Sequence, residues 1–115
     1  MTLRALAWYR VKETDQYCQV AGIMSRSDPR VHVRTATETM SSFVVAVVWF
    51  TPSGNNPLAW TKRAIMLDLK KAFAVLREPL DDDLRVIRGL EKIANAIPFH
   101  SMSVDGEKTD PGGDP

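Results

Sequence analysis

The side chains that could act as catalysts in this 115-residue chain are few and widely separated. There are two histidines, His32 and His100, and one cysteine, Cys18. Neither histidine stands at a spacing typical of a metal site or of an acid–base pair. Cys18 lies between a tyrosine and a glutamine, with no adjacent cation to favour its thiolate, so we expect a buried structural thiol. The sequence therefore favours a non-enzymatic protein with no cofactor and no bound metal.

A small enzyme with a dispersed site is an alternative, since an isomerase or lyase can draw its groups from separate elements. His32, Tyr9 and Asp68 are the residues that such a site would use. The acidic run from Asp81 to Asp83 is a poor basis for a metal site, because consecutive residues of a helix point in different directions. We expect these carboxylates to cap a helix and complement its dipole.

A row of basic residues makes nucleic-acid binding another alternative. Residues 30–38 alternate apolar or hydroxyl residues with charged ones, which predicts a half-buried strand. One face of that strand would be basic and could neutralise phosphates. The basic-Gly-aromatic pattern of RNA-binding sheets is missing from the sequence, so this function ranks below protein binding. The residues of the row are Arg26, Arg30, His32 and Arg34.

The leading hypothesis is protein binding, and it depends on a long helix predicted after the turn at residues 52–57. Asn56 and Pro57 supply an N-cap and a first helical residue, and the pattern that follows predicts a helix to about Arg77, before Pro79. One side of this helix is apolar and would pack on a sheet. The other side combines an aromatic residue with basic neighbours, as protein interfaces often do. This predicted binding surface consists of Trp60, Arg63, Leu67, Lys70 and Lys71.

The most apolar stretch of the sequence, residues 43–51, predicts a buried strand whose two faces are both apolar. Its uninterrupted apolar part, residues 43–50, is far shorter than the roughly 20 residues that a membrane helix needs. Two helices lying on one face of a sheet would leave the other face uncovered. We therefore expect that apolar face to bind another chain, which includes a second copy of this protein as a homodimer.

The remaining elements complete an α+β pattern. Residues 3–12 predict a strand with Trp8 and Tyr9 on opposite faces. Residues 15–26 fit a helix or a strand, and Gly22 favours the strand because glycine costs a helix about 1 kcal/mol relative to alanine. A second helix is predicted from Asp81 to the residue before Pro98, followed by a short edge strand at residues 99–104.

These elements predict an antiparallel sheet of three to five strands in the N-terminal half, with two C-terminal helices packed on one face. A ferredoxin-like order, βαββααβ, is the alternative if residues 15–26 are helical. We expect one domain over residues 1–104 and a flexible tail over residues 105–115, which are rich in glycine and proline.

The net charge of +1 is unevenly distributed. Residues 105–115 contain four acidic side chains and one lysine, a net charge of −3, so the rest of the chain carries +4. The single cysteine and the absence of a signal-peptide pattern at the N-terminus favour the cytoplasm. We therefore expect a small cytoplasmic accessory or inhibitor protein that binds another protein.

Overall fold

The computed structural model describes residues 1–25, 43–54 and 59–99. Within these ranges, five strands form one antiparallel sheet, and the two α-helices lie in the C-terminal part. The α+β class predicted from the sequence is therefore confirmed. The strands are β1 (Trp8–Val11), β2 (Tyr17–Ser25), β3 (Phe43–Pro52), β4 (Trp60–Asp68) and β5 (Leu76–Arg77). The helices are α1 (Leu69–Val75) and α2 (Asp81–Ile93), and a 3-10 turn (Ala94–Ala96) follows α2.

The strands lie in the order β4-β3-β2-β1-β5, so that β3 is flanked on both sides. The strand favoured for residues 15–26 is confirmed, because β2 pairs with β1 on one side and β3 on the other. The ferredoxin-like alternative needed a helix there and is wrong. The pairing of β2 with β3 shifts register between Val20 and Gly22, which fits the tendency of glycine to mark irregularities in strands.

The long helix predicted from Pro57 to Arg77 is wrong, because its first half is the strand β4. This strand pairs with β3 along its whole length, from Pro52 opposite Trp60 to Val44 opposite Asp68. Continuous pairing with an apolar strand overrides the helix propensity of the alanine, leucine, lysine and arginine residues in β4. The helix α1 begins only at Leu69, where the Asp68 side chain caps it by accepting a 2.7 Å hydrogen bond from the Lys71 backbone N–H.

The two helices cover opposite faces of the sheet, whereas the sequence analysis placed both on one face. Alternate side chains of a strand point to opposite faces, and β1 therefore contributes to two separate cores. Tyr9 packs in a cluster with Ala72 of α1, whereas its neighbour Trp8 packs with Ile87 and Leu90 of α2. The prediction that Trp8 and Tyr9 face opposite ways is confirmed, and its consequence is a three-layer arrangement with the sheet in the middle.

This arrangement reduces the shortage of cover inferred for the strand at residues 43–51. On the face covered by α1, Val45 and Val47 are 0% and 2% exposed, and on the face covered by α2, Phe50 is 1% exposed. These three residues of β3 therefore need no second chain to cover them. Ala46, Val48 and Trp49 stay partly exposed, and association with another chain through the sheet stays a prediction.

Several predicted features fall outside the described residues. These are the strand at 30–38, the edge strand beyond residue 99, and the tail at 105–115. Phe99 itself forms a single parallel bridge with Lys62 of β4. In the part of the chain that the structure describes, no helix has the length and apolar character needed to cross a membrane.

Candidate functional site

The predicted binding surface does not form one continuous face. Trp60, Arg63 and Leu67 belong to β4, whereas Lys70 and Lys71 belong to α1. Trp60 packs against the core under α2, and Leu67 packs against the core under α1, on the other side of the sheet. The assumption that these residues line one helix is therefore wrong. A binding role for each of them stays a prediction.

The structure does not bring together the residues proposed for a dispersed catalytic site. The Tyr9 hydroxyl accepts a 3.0 Å hydrogen bond from the Arg4 backbone N–H and donates a 2.8 Å bond to the Thr2 carbonyl. Asp68 caps α1 at the far side of the sheet, where β3 and β2 separate its strand from that of Tyr9. His32 lies outside the described residues, as do Arg26, Arg30, Arg34 and His100.

The single cysteine has the environment expected from the sequence. Cys18 is fully buried in the core between β2, β3 and α1. Burial raises the pKa of its thiol well above the ordinary value, because the thiolate would be poorly solvated there. The side chain therefore stays protonated and takes part in packing, which confirms the prediction of a buried structural thiol.

A buried carboxylate near the start of α2 accepts four hydrogen bonds. Asp83 is 2% exposed, and its Oδ1 accepts hydrogen bonds from the Arg10 guanidinium at 2.5 Å and from the Tyr17 hydroxyl at 2.9 Å. Its Oδ2 accepts from the Arg77 guanidinium at 2.9 Å and from the Leu80 backbone N–H at 2.8 Å. We call these side chains the Asp83 cluster: Asp83, Arg10, Tyr17 and Arg77.

The Asp83 cluster is built for stability rather than proton transfer. Burial alone would raise the pKa of Asp83, but the hydrogen bonds from Leu80, Arg77, Arg10 and Tyr17 outweigh it and hold that pKa well below its usual range. The carboxylate is therefore ionised at neutral pH, with both oxygens occupied. Such a group is a poor general base, and its effect is to fix α2 against β1, β2 and β5.

This role of Asp83 was not predicted from the sequence, although the sequence contains a signal for it. Asp83 was grouped with Asp81 and Asp82 as a helix-capping residue. It stands four positions before Ile87 and seven before Leu90, so it shares the buried side of the helix with them. A carboxylate on an apolar helix face needs cationic partners, and the arginines of the neighbouring strands supply them.

An open groove lies beside α2, along residues 85–93. Its cavity volume is about 470 Å³, and it separates the exposed flank of the helix from the first residue of β4. Its centre is apolar and its edges are basic. We call it the α2 groove, and its lining residues are Trp60, Arg85, Val86, Gly89, Leu90, Lys92 and Ile93.

Contacts from the sheet position both walls of the α2 groove. Trp60 is held edge-on to the ring of Tyr17, with the ring centroids 6.2 Å apart, and so packs beside the Asp83 cluster. Lys62 reaches across to the end of α2, where its Nζ donates a 2.7 Å hydrogen bond to the Ala94 carbonyl and lies 4.5 Å from the centre of the Phe99 ring. The groove therefore has a fixed strand wall and a fixed helix wall.

Gly89 leaves a gap in the helix wall of the α2 groove. A Cβ atom added there would meet no atom within 4 Å, so packing within the described residues does not require glycine. Glycine in the middle of a helix costs about 1 kcal/mol relative to alanine. The chain thus carries a destabilising residue where it faces an open space next to Trp60 and Leu90.

The charges along the α2 groove have one sign. Arg85 and Lys92 line it, whereas the acidic residues of α2 are absent from its lining. Neither cation has an ion-pair partner among the described residues, in contrast to Arg10 and Arg77 in the Asp83 cluster. The groove therefore combines free positive charge with an apolar centre, as protein-binding sites often do.

Comparisons with protein-family models, curated proteins and solved structures find no match to this chain. The described residues contain no group of three or more histidine, cysteine, aspartate or glutamate side chains that could hold a metal ion. The site must therefore be interpreted from its geometry and charge.

Proposed function

We propose that this protein is a small non-enzymatic binding protein, of the accessory or inhibitor type, that holds a segment of another protein in the α2 groove. The observation that carries the proposal is the open space at Gly89 beside Trp60. Aromatic and arginine side chains contribute more than most residues to binding energy at protein interfaces, and the groove contains both. Trp60 is retained from the predicted binding surface, with a different set of neighbours.

The size and lining of the groove support this proposal. Sites that accommodate small molecules or a few side chains commonly measure about 300 to 1,000 Å³, a range that includes the volume found here. Val86 and Ile93 supply apolar surface, and Arg85 and Lys92 border it. A peptide segment that places a few apolar side chains in the centre would bury them without displacing the core.

The state of the ionisable groups also favours binding over catalysis. Asp83 and Tyr17 bond to each other and to Arg10, and the Cys18 thiol is buried and protonated. A buried protonated thiol is compatible with the cytoplasm, which stays our proposed location. Homodimerisation and nucleic-acid binding through Arg26, Arg30, His32 and Arg34 stay predictions.

A peptide-selection experiment tests the proposed function. A displayed library of random peptides of about 16 residues, about 24 Å as helices, is selected on the full chain. The affinity of the enriched peptides is then measured by fluorescence polarisation for the wild type and for Gly89→Phe, which fills the gap in the groove wall. We expect Gly89→Phe to weaken binding by roughly tenfold or more, equivalent to about 1.4 kcal/mol.

The matched control is Arg88→Phe, which adds the same ring to an exposed position that does not line the groove. Binding should be unchanged in this variant, and the thermal melting of both variants establishes that they fold. If the enriched peptides bind wild type and Gly89→Phe equally well, the α2 groove is not the binding site and the proposal is wrong.

A further inference from the structure

The charges on α2 are distributed differently inside and outside the groove lining. The residues of α2 that line the groove include Arg85 and Lys92 and no acidic residue. Asp82 lies on the same side of the helix, four positions before Val86, but does not line the groove. Arg88 and Glu91 are exposed outside the groove lining, and their charges offset each other. Charge complementarity therefore favours an acidic occupant of the groove, because a basic segment would meet two uncompensated cations.

The spacing of the two cations favours a helical occupant. Arg85 and Lys92 are seven residues apart on a helix, which separates their positions by about 10.5 Å along its axis. Two residues seven apart on a partner helix have the same separation and lie on the same face. In a strand, residues on one face recur about every 6.6 Å. Two acidic residues on one face of a strand would therefore be about 6.6 or 13 Å apart, and neither distance matches the separation of Arg85 and Lys92.

The groove between the cations is suited to apolar side chains. Val86, Gly89 and Ile93 lie between or beside the two basic positions on α2, and Trp60 faces them from β4. Packed helices usually have axes about 8 to 10 Å apart, and the smallest side chains at the contact give the shortest distances. Gly89 therefore allows a second helix to approach α2 closely.

We propose that the α2 groove recognises an amphipathic helix of a partner protein. This helix carries two acidic residues seven positions apart. It carries apolar residues three and four positions after the first acidic residue. This inference rests on the proposed function and specifies the partner segment. The acidic residues at 105–115 of this chain do not fit the description, because that stretch contains no large apolar residue.

Synthetic helices test the inference directly. The probe is a stapled peptide of about 16 residues, about 24 Å long, with glutamates seven positions apart and two leucines between them. The control peptide has the same composition and staple, but one glutamate is moved to the opposite face. We expect the full chain to bind the probe roughly tenfold more tightly than the control by fluorescence polarisation.

Charge-reversal variants assign that binding to the groove. Arg85→Glu should weaken binding of the probe by roughly tenfold. Arg88→Glu makes the same charge change at an exposed position outside the groove lining and should leave binding within about twofold. A probe with lysines in place of glutamates should regain affinity for the double variant Arg85→Glu, Lys92→Glu. Equal effects of Arg85→Glu and Arg88→Glu would reveal only general charge attraction and overturn the inference.

The two proposals fail in different ways. In one case, the library peptides lose binding to Gly89→Phe but lack paired acidic residues, and the probe and control peptides bind equally well. The groove then binds a segment of other chemistry, and only the helix inference is wrong. If neither library peptides nor the probe respond to Gly89→Phe, both proposals are wrong. Tighter binding of the probe with its expected response to Arg85→Glu supports both.

Discussion

Similar side chains surround two regions of α2 but have different roles there. At its N-terminal end, Arg10 and Arg77 bond to a buried carboxylate, and an aromatic hydroxyl completes the cluster. Farther along the helix, Arg85 and Lys92 border an open groove, and Trp60 exposes part of its ring. Arginines and an aromatic ring occur in both places, and only the availability of internal partners differs.

This difference separates residues that hold the fold from residues that are free to bind. A buried ion pair loses its hydration and becomes costly to break, so its members serve structure. An exposed cation with no internal partner contributes little to stability and keeps its capacity to meet an anion. Stability and binding should therefore respond to different substitutions on the same helix.

The largest expected effect is the loss of the carboxylate of the Asp83 cluster. Asp83→Ala leaves Arg10 and Arg77 without their shared partner and the Tyr17 hydroxyl without an acceptor. We expect the free energy of unfolding in urea to fall by about 2 kcal/mol, because the two arginine side chains left behind are partly exposed and can be hydrated. The exposed neighbour Asp82 is the control, and Asp82→Ala should change stability by less than about 0.5 kcal/mol. Similar values for the two variants would contradict the structural role of the cluster.

A smaller effect should appear as a dependence of stability on pH. The pKa of Asp83 is lowered on folding because hydrogen bonds from Leu80 and the cluster outweigh burial, which acts in the opposite direction. An unfolded aspartate titrates near pH 3.9, so the unfolded state binds this proton first as the solution is acidified. The stabilisation is fully present well above pH 4 and is lost progressively as the pH falls below about 5.

Urea unfolding at a series of pH values between about 6 and 3 measures this loss. The slope of unfolding free energy against pH should be shallower in Asp83→Asn, which cannot ionise, than in wild type. The gap in stability between the two proteins should narrow toward the acid end. A gap that stays constant over the whole range would mean that the Asp83 carboxyl does not titrate differently in the two states.

The smallest expected effect has the opposite sign and lies in the α2 groove. Gly89→Ala should raise the free energy of unfolding by about 0.5 to 1 kcal/mol, because alanine is the better helix former and the added methyl group enters open space. Gly54 is the contrasting position, with a φ of 58° that disfavours a side chain. Gly54→Ala should therefore lower stability, and a loss of stability in Gly89→Ala would show that the gap is needed by the fold itself.

The parts of the fold that sequence reasoning predicted have strong local patterns. Residues 43–51 are rich in β-branched and aromatic residues, and they form β3. The second helix begins at Asp81, as its acidic first turn and apolar spacing indicated. In both cases the local preference and the final packing agree, and the helix keeps its apolar residues Ile87 and Leu90 buried.

The strand β4 shows why the rest could not be predicted. Its sequence WTKRAIMLD has apolar residues at spacings that fit a helix almost as well as a strand. Pairing with β3 decides between them, and that information comes from another strand, outside the sequence of β4 itself. The wrong helix prediction also affected the candidate site. It placed Trp60 beside residues of the same helix, whereas Trp60 lies across the groove from α2.

The Asp83 cluster also limits when the chain can complete its fold. The bond between Arg10 and Asp83 joins residues 73 positions apart, and the bond from Tyr17 joins residues 66 apart. Contacts between such distant residues slow folding, because a long loop must close before they form. While the chain is being synthesised, the cationic and hydroxyl groups of β1 and β2 therefore lack this partner until the segment that carries Asp83 has been made.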